Sequence, residues 1–231
     1  MKKLRIILLI FLFALCSLSG FALAAQIQQW ITPIETDNAE TPDAFSLQQN
    51  LLIIHTTDLK GSQVKLVSLW VVFIAIANPP NLVFKSIYPN TEIPGSRQLF
   101  ETFALTSTGS LPIGFLDSLN KLEIHQNGFF LIDNQGFSAL TTWITGKPSE
   151  INSADPDNPG QQYLTLSYEQ MIFENICLAI SQPVNPKPDN PPWSTLIPKH
   201  IRTNLDFEQA AILWDILSNS VTPPVCKVLI Q

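Results

Sequence analysis

Apolar and polar positions alternate along the chain in a way that predicts short strands interleaved with helices. Four apolar runs, each bounded by turn-forming residues, have the length and composition of buried strands: residues 51–56, 67–76, 82–87 and 128–133. An Asn-Pro-Pro-Asn turn at residues 78–81 joins the second and third runs, because proline lacks the donor that a sheet ladder needs. Runs that are apolar on both faces predict strands inside a covered sheet.

Apolar residues at helical spacing predict helices between and after these strands, around residues 115–122 and 135–145, the second ending at Gly146. Two capping-box patterns predict further helix starts at Ser167 and Asp206. Residues 147–162 and 182–198 are rich in proline and polar residues and are predicted to be loops. The alternation of strands and helices indicates an α/β domain.

The first 24 residues have the pattern of a secretory signal. A basic start precedes an apolar core at residues 6–15, and small residues at Ala22 and Ala24 predict cleavage before Ala25. The alternative is an uncleaved N-terminal anchor, because apolar residues continue to Ala25. We expect an exported protein, extracellular or associated with the cell envelope, with a polar leader at residues 25–49 and one domain at residues 50–231.

The charge balance disfavours two classes of partner. The chain has 13 basic and 19 acidic residues, a net charge of −6, and removal of Lys2, Lys3 and Arg5 with the signal shifts it to −9. Such a surface disfavours nucleic acid and anionic lipid as partners. Membrane contact is therefore expected only through an uncleaved N-terminal segment.

Two cysteines remain after the signal, Cys177 and Cys226. In an exported protein such a pair predicts a disulfide, which would stabilise the fold by ~4 kcal/mol on the chain-entropy model; two buried thiols are the alternative. His55, His125 and His200 lie on different predicted elements and are interpreted as structural residues. No His and Cys residues have the spacing of a metal site, so none is predicted.

Residues 82–95, with the sequence LVFKSIYPNTEIPG, resemble the S-I-P-R-D-T and I-P-G motif of the LytR–CpsA–Psr family of cell-envelope proteins. Ser86 and Thr91 match that motif, whereas its Arg and Asp fall on Pro89 and Asn90. Five other segments resemble family segments and occur in the family's order along the chain. They are the opening N-I-L-L-L-G-T-D strand at residues 50–58, the R-T-D-T strand at 67–76, the V-D-F-x-G-F unit at 130–140, the R-Q-Q helix at 168–172 and the T-D-L element at 203–205. The resemblance implies an α/β fold with a central mixed β-sheet flanked by helices, and a deep apolar pocket for a polyprenyl tail.

Enzymes of this family are thought to move a glycopolymer from a polyprenyl-pyrophosphate carrier to the cell wall. Such a transfer needs arginine clamps and usually a divalent metal held by carboxylates. The matching positions here are apolar or uncharged: Val67, Leu69, Pro89, Asn90 and Tyr168. The resemblance therefore implies no catalytic residue and no cofactor, with Mg²⁺ or Mn²⁺ belonging only to an active alternative. The polar groups left as ligand-binding candidates are Asp58, Ser86, Asn90, Thr91, Arg97 and Gln170.

Three functions are compatible with these observations. The first is an exported, catalytically inactive LytR–CpsA–Psr-like domain that binds an envelope ligand, such as a polyprenyl-linked glycan, or a partner. The second is an active phosphotransferase that attaches glycopolymers to the cell wall; the third is a structural interaction domain without a ligand pocket. Beyond the signal the chain has only Arg97 and Arg202 as arginines, which disfavours catalysis. Two arginines around one cavity would favour the phosphotransferase. The sequence leaves the oligomeric state open.

Overall fold

A computed structural model describes residues 48–60, 64–90, 92–106, 109–148, 158–181, 193–218 and 220–230. They belong to a compact unit, Ala39–Gln231, that contains the whole sheet. The predicted signal and most of the predicted leader lie outside the described residues. The last two residues of the predicted leader, Gln48 and Gln49, belong to the first strand.

Six strands form one mixed sheet. They are β1 (Gln48–Thr56), β2 (Leu66–Ala75), β3 (Asn81–Tyr88), β4 (Gly128–Asp133), β5 (Ile201–Thr203) and β6 (Val225–Leu229). Their order in space is β5-β4-β1-β2-β3-β6. Strands β1, β3, β4 and β6 run in one direction and β2 and β5 in the other. The four apolar runs predicted to share a sheet therefore do so, and they occupy its four inner positions.

Within the described ranges, six helices cover the two faces of the sheet. They are α1 (Ser96–Thr102), α2 (Ile113–Lys121), α3 (Asn134–Thr145), α4 (Pro159–Ser181), α5 (Trp193–Leu196) and α6 (Phe207–Ser218). Helices α1 and α2 pack on one face through Leu99, Phe115 and Leu119. The other four cover the opposite face, where Phe173 of α4 lies at the centre of the core. Alternation along each strand supplies both cores, because successive side chains point to opposite faces.

Helix α3 begins and ends at the residues that its sequence favours. The Asp133 carboxylate accepts a hydrogen bond from the Gly136 amide at 2.9 Å, and Gly146 ends the helix in the left-handed conformation with φ 66°. At α6, the Asp206 carboxylate accepts from the Gln209 amide at 2.6 Å, as the second capping box predicts. These local signals determine where the helices stand relative to the strand ends.

The prediction of a helix start at Ser167 is wrong. Helix α4 begins eight residues earlier, at Pro159, so the end of the predicted loop at residues 147–162 is helical. The Ser167 hydroxyl donates to the Tyr163 carbonyl at 3.0 Å, four residues back, as serine does inside a helix. The short elements α1 and β5 had no prediction, since seven and three residues are too few to show a period.

Candidate functional site

A closed polar centre lies between the sheet and α4. The Glu169 side chain of α4 is completely buried, and one carboxylate oxygen, Oε1, lies 2.5 Å from His55 Nδ1. The Ser68 hydroxyl donates to the same oxygen at 2.8 Å, and Trp70 Nε1 donates to Oε2 at 2.7 Å. Three donors therefore satisfy both oxygens of this carboxylate inside the core.

The imidazole of His55 is held from both sides. Its Nδ1 faces Glu169, and its Nε2 lies 2.7 Å from the amide oxygen of Asn134, whose Nδ2 donates to the Thr57 carbonyl at 3.4 Å. Both ring nitrogens are therefore within hydrogen-bond distance of a side-chain oxygen, one from Glu169 and one from Asn134.

Strand register brings this centre together. His55 of β1 lies opposite Ser68 of β2 and beside Ile132 of β4, so both polar side chains point to the face that α4 covers. Trp70 follows two positions after Ser68 on the same face. The first residue of α3, Asn134, directly follows β4 and reaches the far side of the imidazole. The centre joins chain segments up to 114 residues apart.

A second group of hydrogen-bonded polar side chains lies at the ends of strands β1 and β4. The Asp133 carboxylate, 4% exposed, lies 2.9 Å from His200 Nδ1. The other imidazole nitrogen lies 3.3 Å from Lys60 Nζ. The lysine ammonium can only donate, so His200 accepts from it and donates to Asp133. Gly136 lets the His200 carbonyl approach, since a side chain there would collide with it.

The predicted binding residues are divided between the interior and the surface. Ser86 and Asn90, at the end of β3, are buried, and Ser86 Oγ and Asn90 Nδ2 have no hydrogen-bond partner among the described residues. Asp58 is exposed and accepts from the Lys60 amide at 2.8 Å. Gln170 donates to Glu174 on the surface of α4. Thr91 lies outside the described residues.

The two arginines lie apart. Arg97 of α1 is 91% exposed, and its Nε lies 3.3 Å from Glu101. Arg202 of β5 donates from Nη2 to the Leu59 carbonyl at 2.9 Å and fills the space above Gly109. Helix α1 packs on β3, which is four strands from β5, roughly 19 Å at the usual strand spacing. The structure therefore does not bring the two guanidinium groups to one cavity.

A disulfide joins Cys177 of α4 to Cys226 of β6, with Cα atoms 5.3 Å apart, and is the pairing expected for an exported chain. Beside it lies an open depression of about 300 Å³, lined by Glu174, Cys177, Leu178, Ser181, Cys226 and Val228. The bond fixes the C-terminal half of α4 to the edge of the sheet.

Glu169 and His200 were not predicted to belong to a site, and His55 was interpreted as a structural residue. One signal in the sequence points to Glu169: it falls three residues after Leu166 and three before Ile172, on the apolar face of the helix. A carboxylate on a buried face needs donors, so the position calls for partners from the sheet. No sequence pattern near Glu169 identifies those partners, because they lie about 100 residues earlier in the chain.

Comparison with known proteins shows the fold. A structure of TagT bound to LIIa-WTA aligns with a TM-score of 0.53 and 8% sequence identity, covering 86% of this chain and 86% of that chain. TagT is an enzyme of the LytR–CpsA–Psr family. The chain has the LytR–CpsA–Psr fold.

Two further structures illustrate the same similarity. TagT of B. subtilis aligns with a TM-score of 0.49 at 8% identity over 84% of this chain and 82% of that chain. TagV of B. subtilis aligns with a TM-score of 0.48 at 14% identity over 81% and 86%. No family model and no curated protein matches the sequence. At these identities, the likeness to LytR–CpsA–Psr enzymes concerns the fold alone.

Three of the segments that resemble family motifs meet in the interior, where their polar side chains bond to one another. His55 belongs to the segment matching the opening strand, Ser68 to the one matching R-T-D-T, and Glu169 to the one matching R-Q-Q. Leu69, where the motif's Asp falls, is fully buried among apolar side chains. Within the described residues no three His, Cys, Asp or Glu side chains are grouped to hold a metal ion. Among these residues, no helix has both the length and the apolar character to cross a membrane.

Proposed function

We propose that this chain is an exported domain with the LytR–CpsA–Psr fold that acts in the cell envelope by binding and does not transfer phosphoryl groups. The closed Glu169 centre carries the proposal. Its carboxylate is fully buried and satisfied by His55, Ser68 and Trp70, so the place where three motif segments meet has no cation left for a pyrophosphate. The separation of Arg97 and Arg202 supports the same conclusion, because phosphoryl transfer depends on preorganised positive charge.

The ligand that we propose is a polyprenyl-linked glycan or another envelope molecule with an apolar tail. The Ser86 hydroxyl and Asn90 Nδ2, which have no partner among the described residues, support this choice, since buried polar groups are normally paired with protein, water or ligand. Both lie at the end of β3, in the segment that resembles the family motif. We propose that they donate to a polar head group while the tail is held by burial of apolar surface.

An interaction domain without a ligand pocket is the second candidate. Four aromatic rings fill the core between the sheet and α4: Phe173 lies 4.8 Å from Trp70, 4.6 Å from Phe84 and 5.5 Å from Phe137, measured between ring centroids. Rings packed at these distances leave little space between them for a lipid chain. This observation favours partner binding at the surface over insertion of a tail beside Phe173.

Activity and binding should be measured on one preparation. With Mg²⁺ or Mn²⁺ and a polyprenyl-pyrophosphate substrate, we expect no transfer and no pyrophosphatase activity, because each missing charge-stabilising donor costs roughly 10²–10³ in rate. Metal-dependent turnover that disappears in Asp58→Ala or Arg97→Ala would instead establish the active phosphotransferase.

The ligand assay has a matched pair of serine variants. Ser86→Ala removes a hydroxyl without a partner, so we expect weaker binding of the polyprenyl-linked probe and unchanged or slightly higher stability. Ser68→Ala removes a donor to Glu169, so it should lower stability by about 1 kcal/mol and leave binding unaltered. Absence of binding by the unmodified chain would favour the interaction domain without a pocket.

A further inference from the structure

The long helix α4 has apolar residues on two opposite faces. One face packs into the core through Leu166, Phe173 and Ile180, each less than 7% exposed. The other presents Leu164, Met171 and Leu178, which are 70%, 48% and 58% exposed. A surface helix normally carries polar residues opposite its core face. Among the residues that the structure describes, none covers this second apolar face of α4.

The three exposed residues are spaced by seven and lie on one stripe about 21 Å long, at 1.5 Å per residue. Met171 lies next to the midpoint of this 23-residue helix, and Leu164 and Leu178 are each seven residues from it. A stripe that is symmetric about its centre is complementary to itself under a two-fold axis. In an antiparallel pair of helices, Met171 meets Met171 of a second copy, and Leu164 meets the Leu178 of that copy.

The polar residues beside the stripe favour the antiparallel arrangement. Glu169 and Glu174 are the charged residues of α4, and Glu169 is buried. Glu174 is three residues after Met171, and Ser167 is four residues before it. With a two-fold axis at Met171, Glu174 therefore faces Ser167 of the second copy. In a parallel pair, Glu174 would face the Glu174 of the second copy and repel it. Helix α4 contains no Lys or Arg, which disfavours an anionic membrane as the occupant of this face.

The depression lined by Leu178 offers a place where a side chain of the second copy can pack. Its volume is about 300 Å³, and Leu178 and the disulfide form part of its wall. In the antiparallel arrangement the 70% exposed Leu164 of the second copy lies over this depression, as a knob over a hole. The same contact is repeated on the other side of the two-fold axis.

We propose that α4 is a homodimer interface in which two copies of this chain pack their Leu164–Met171–Leu178 stripes antiparallel around a two-fold axis at Met171. Three side chains supply only part of the ~800 Å² that each partner of a standard interface buries. The dimer is therefore weak and reversible, with a dissociation constant in the micromolar range or above.

Analytical ultracentrifugation of the full chain over a concentration series tests the proposal. We expect the mass to rise from monomer to dimer, and Met171→Glu to weaken association at least about tenfold by placing two carboxylates at the axis. Ile113→Glu, at a 77% exposed apolar position on α2, is the matched control and should leave association unchanged. A monomer at every concentration, or equal effects of the two variants, would overturn the proposal.

Cysteine cross-linking tests the orientation, in a chain that also carries Cys16→Ser. Met171→Cys is expected to form a disulfide-linked dimer on mild oxidation. A mixture of Ser167→Cys and Glu174→Cys chains is expected to cross-link, whereas Ser167→Cys alone is not. Cross-linking of Ser167→Cys with itself would indicate a parallel pair and contradict the arrangement. Flotation with anionic vesicles that is lost in Met171→Glu, in a chain that stays monomeric, would identify a membrane as the occupant.

Discussion

Two carboxylate–histidine pairs among the described residues differ in how they are enclosed. Glu169 and His55 are both completely buried, and every polar atom of the two side chains that can bond has a partner. In the pair of Asp133 and His200, the imidazole is 14% exposed, and its second nitrogen contacts a lysine at the surface. The same two functional groups therefore occupy a closed core and an open sheet edge.

This difference indicates different roles. Removing one partner from a buried pair leaves an unpaired charge without access to water, whereas a pair near the surface can be solvated again. The Glu169 pair therefore holds α4 to the sheet. The Asp133 pair positions the start of α3 and the turn at Lys60, and it depends less on its partners for charge compensation.

The largest effect is expected for Glu169→Ala. The change leaves His55, Ser68 and Trp70 without their acceptor, so we expect the free energy of unfolding to fall by about 3–5 kcal/mol. Urea unfolding followed by circular dichroism measures the loss. Glu174→Ala on the exposed face of the same helix is the control and should change stability by less than about 0.5 kcal/mol. Similar losses in the two variants would show that the buried centre has no special role.

A somewhat smaller effect is expected when the disulfide is removed by Cys177→Ser with Cys226→Ser. The bond closes a loop with a sequence separation of 49, and its loss should cost about 2–4 kcal/mol. Cys177 lies two helical turns beyond Glu169 on α4. The double variant therefore also tests whether the closed pair and the disulfide hold the same helix independently of the open pair at Asp133. Hydrogen exchange should increase along α4 and β6 and remain unchanged at α3 beside Asp133. An increase spread evenly over the sheet would contradict a local attachment.

The smallest effects are expected at the open pair. His200→Ala removes a hydrogen bond from a partly exposed imidazole and should cost about 1 kcal/mol, and Lys60→Ala less than about 0.5 kcal/mol. Thermal unfolding monitored by tryptophan fluorescence gives the order of the variants. The comparison of closed and open pairs fails if His200→Ala destabilises the fold as much as His55→Ala does.

Much of the fold follows from local sequence. The four apolar runs, the Asn-Pro-Pro-Asn turn and the caps at Gly146 and Asp206 are signals that need only a few neighbouring residues. The start of α4 could not be placed, because Pro159 follows a polar stretch and Ser167 carried a competing cap pattern. In the folded chain the Ser167 hydroxyl donates to the Tyr163 carbonyl inside the helix, so the local cap pattern did not decide where α4 begins.

The sequence by itself determined the four inner strands and the longer helices, the shortage of arginines, the uncharged residues at the motif positions and the pair of cysteines. Only the tertiary structure decided that His55 and Glu169 meet, that Ser86 stays without a partner, and that Arg97 and Arg202 are directed to different places. The reason is physical. Periodicity and capping act over one or two turns of chain, whereas a buried charge finds its partner through strand register and helix packing between segments more than a hundred residues apart.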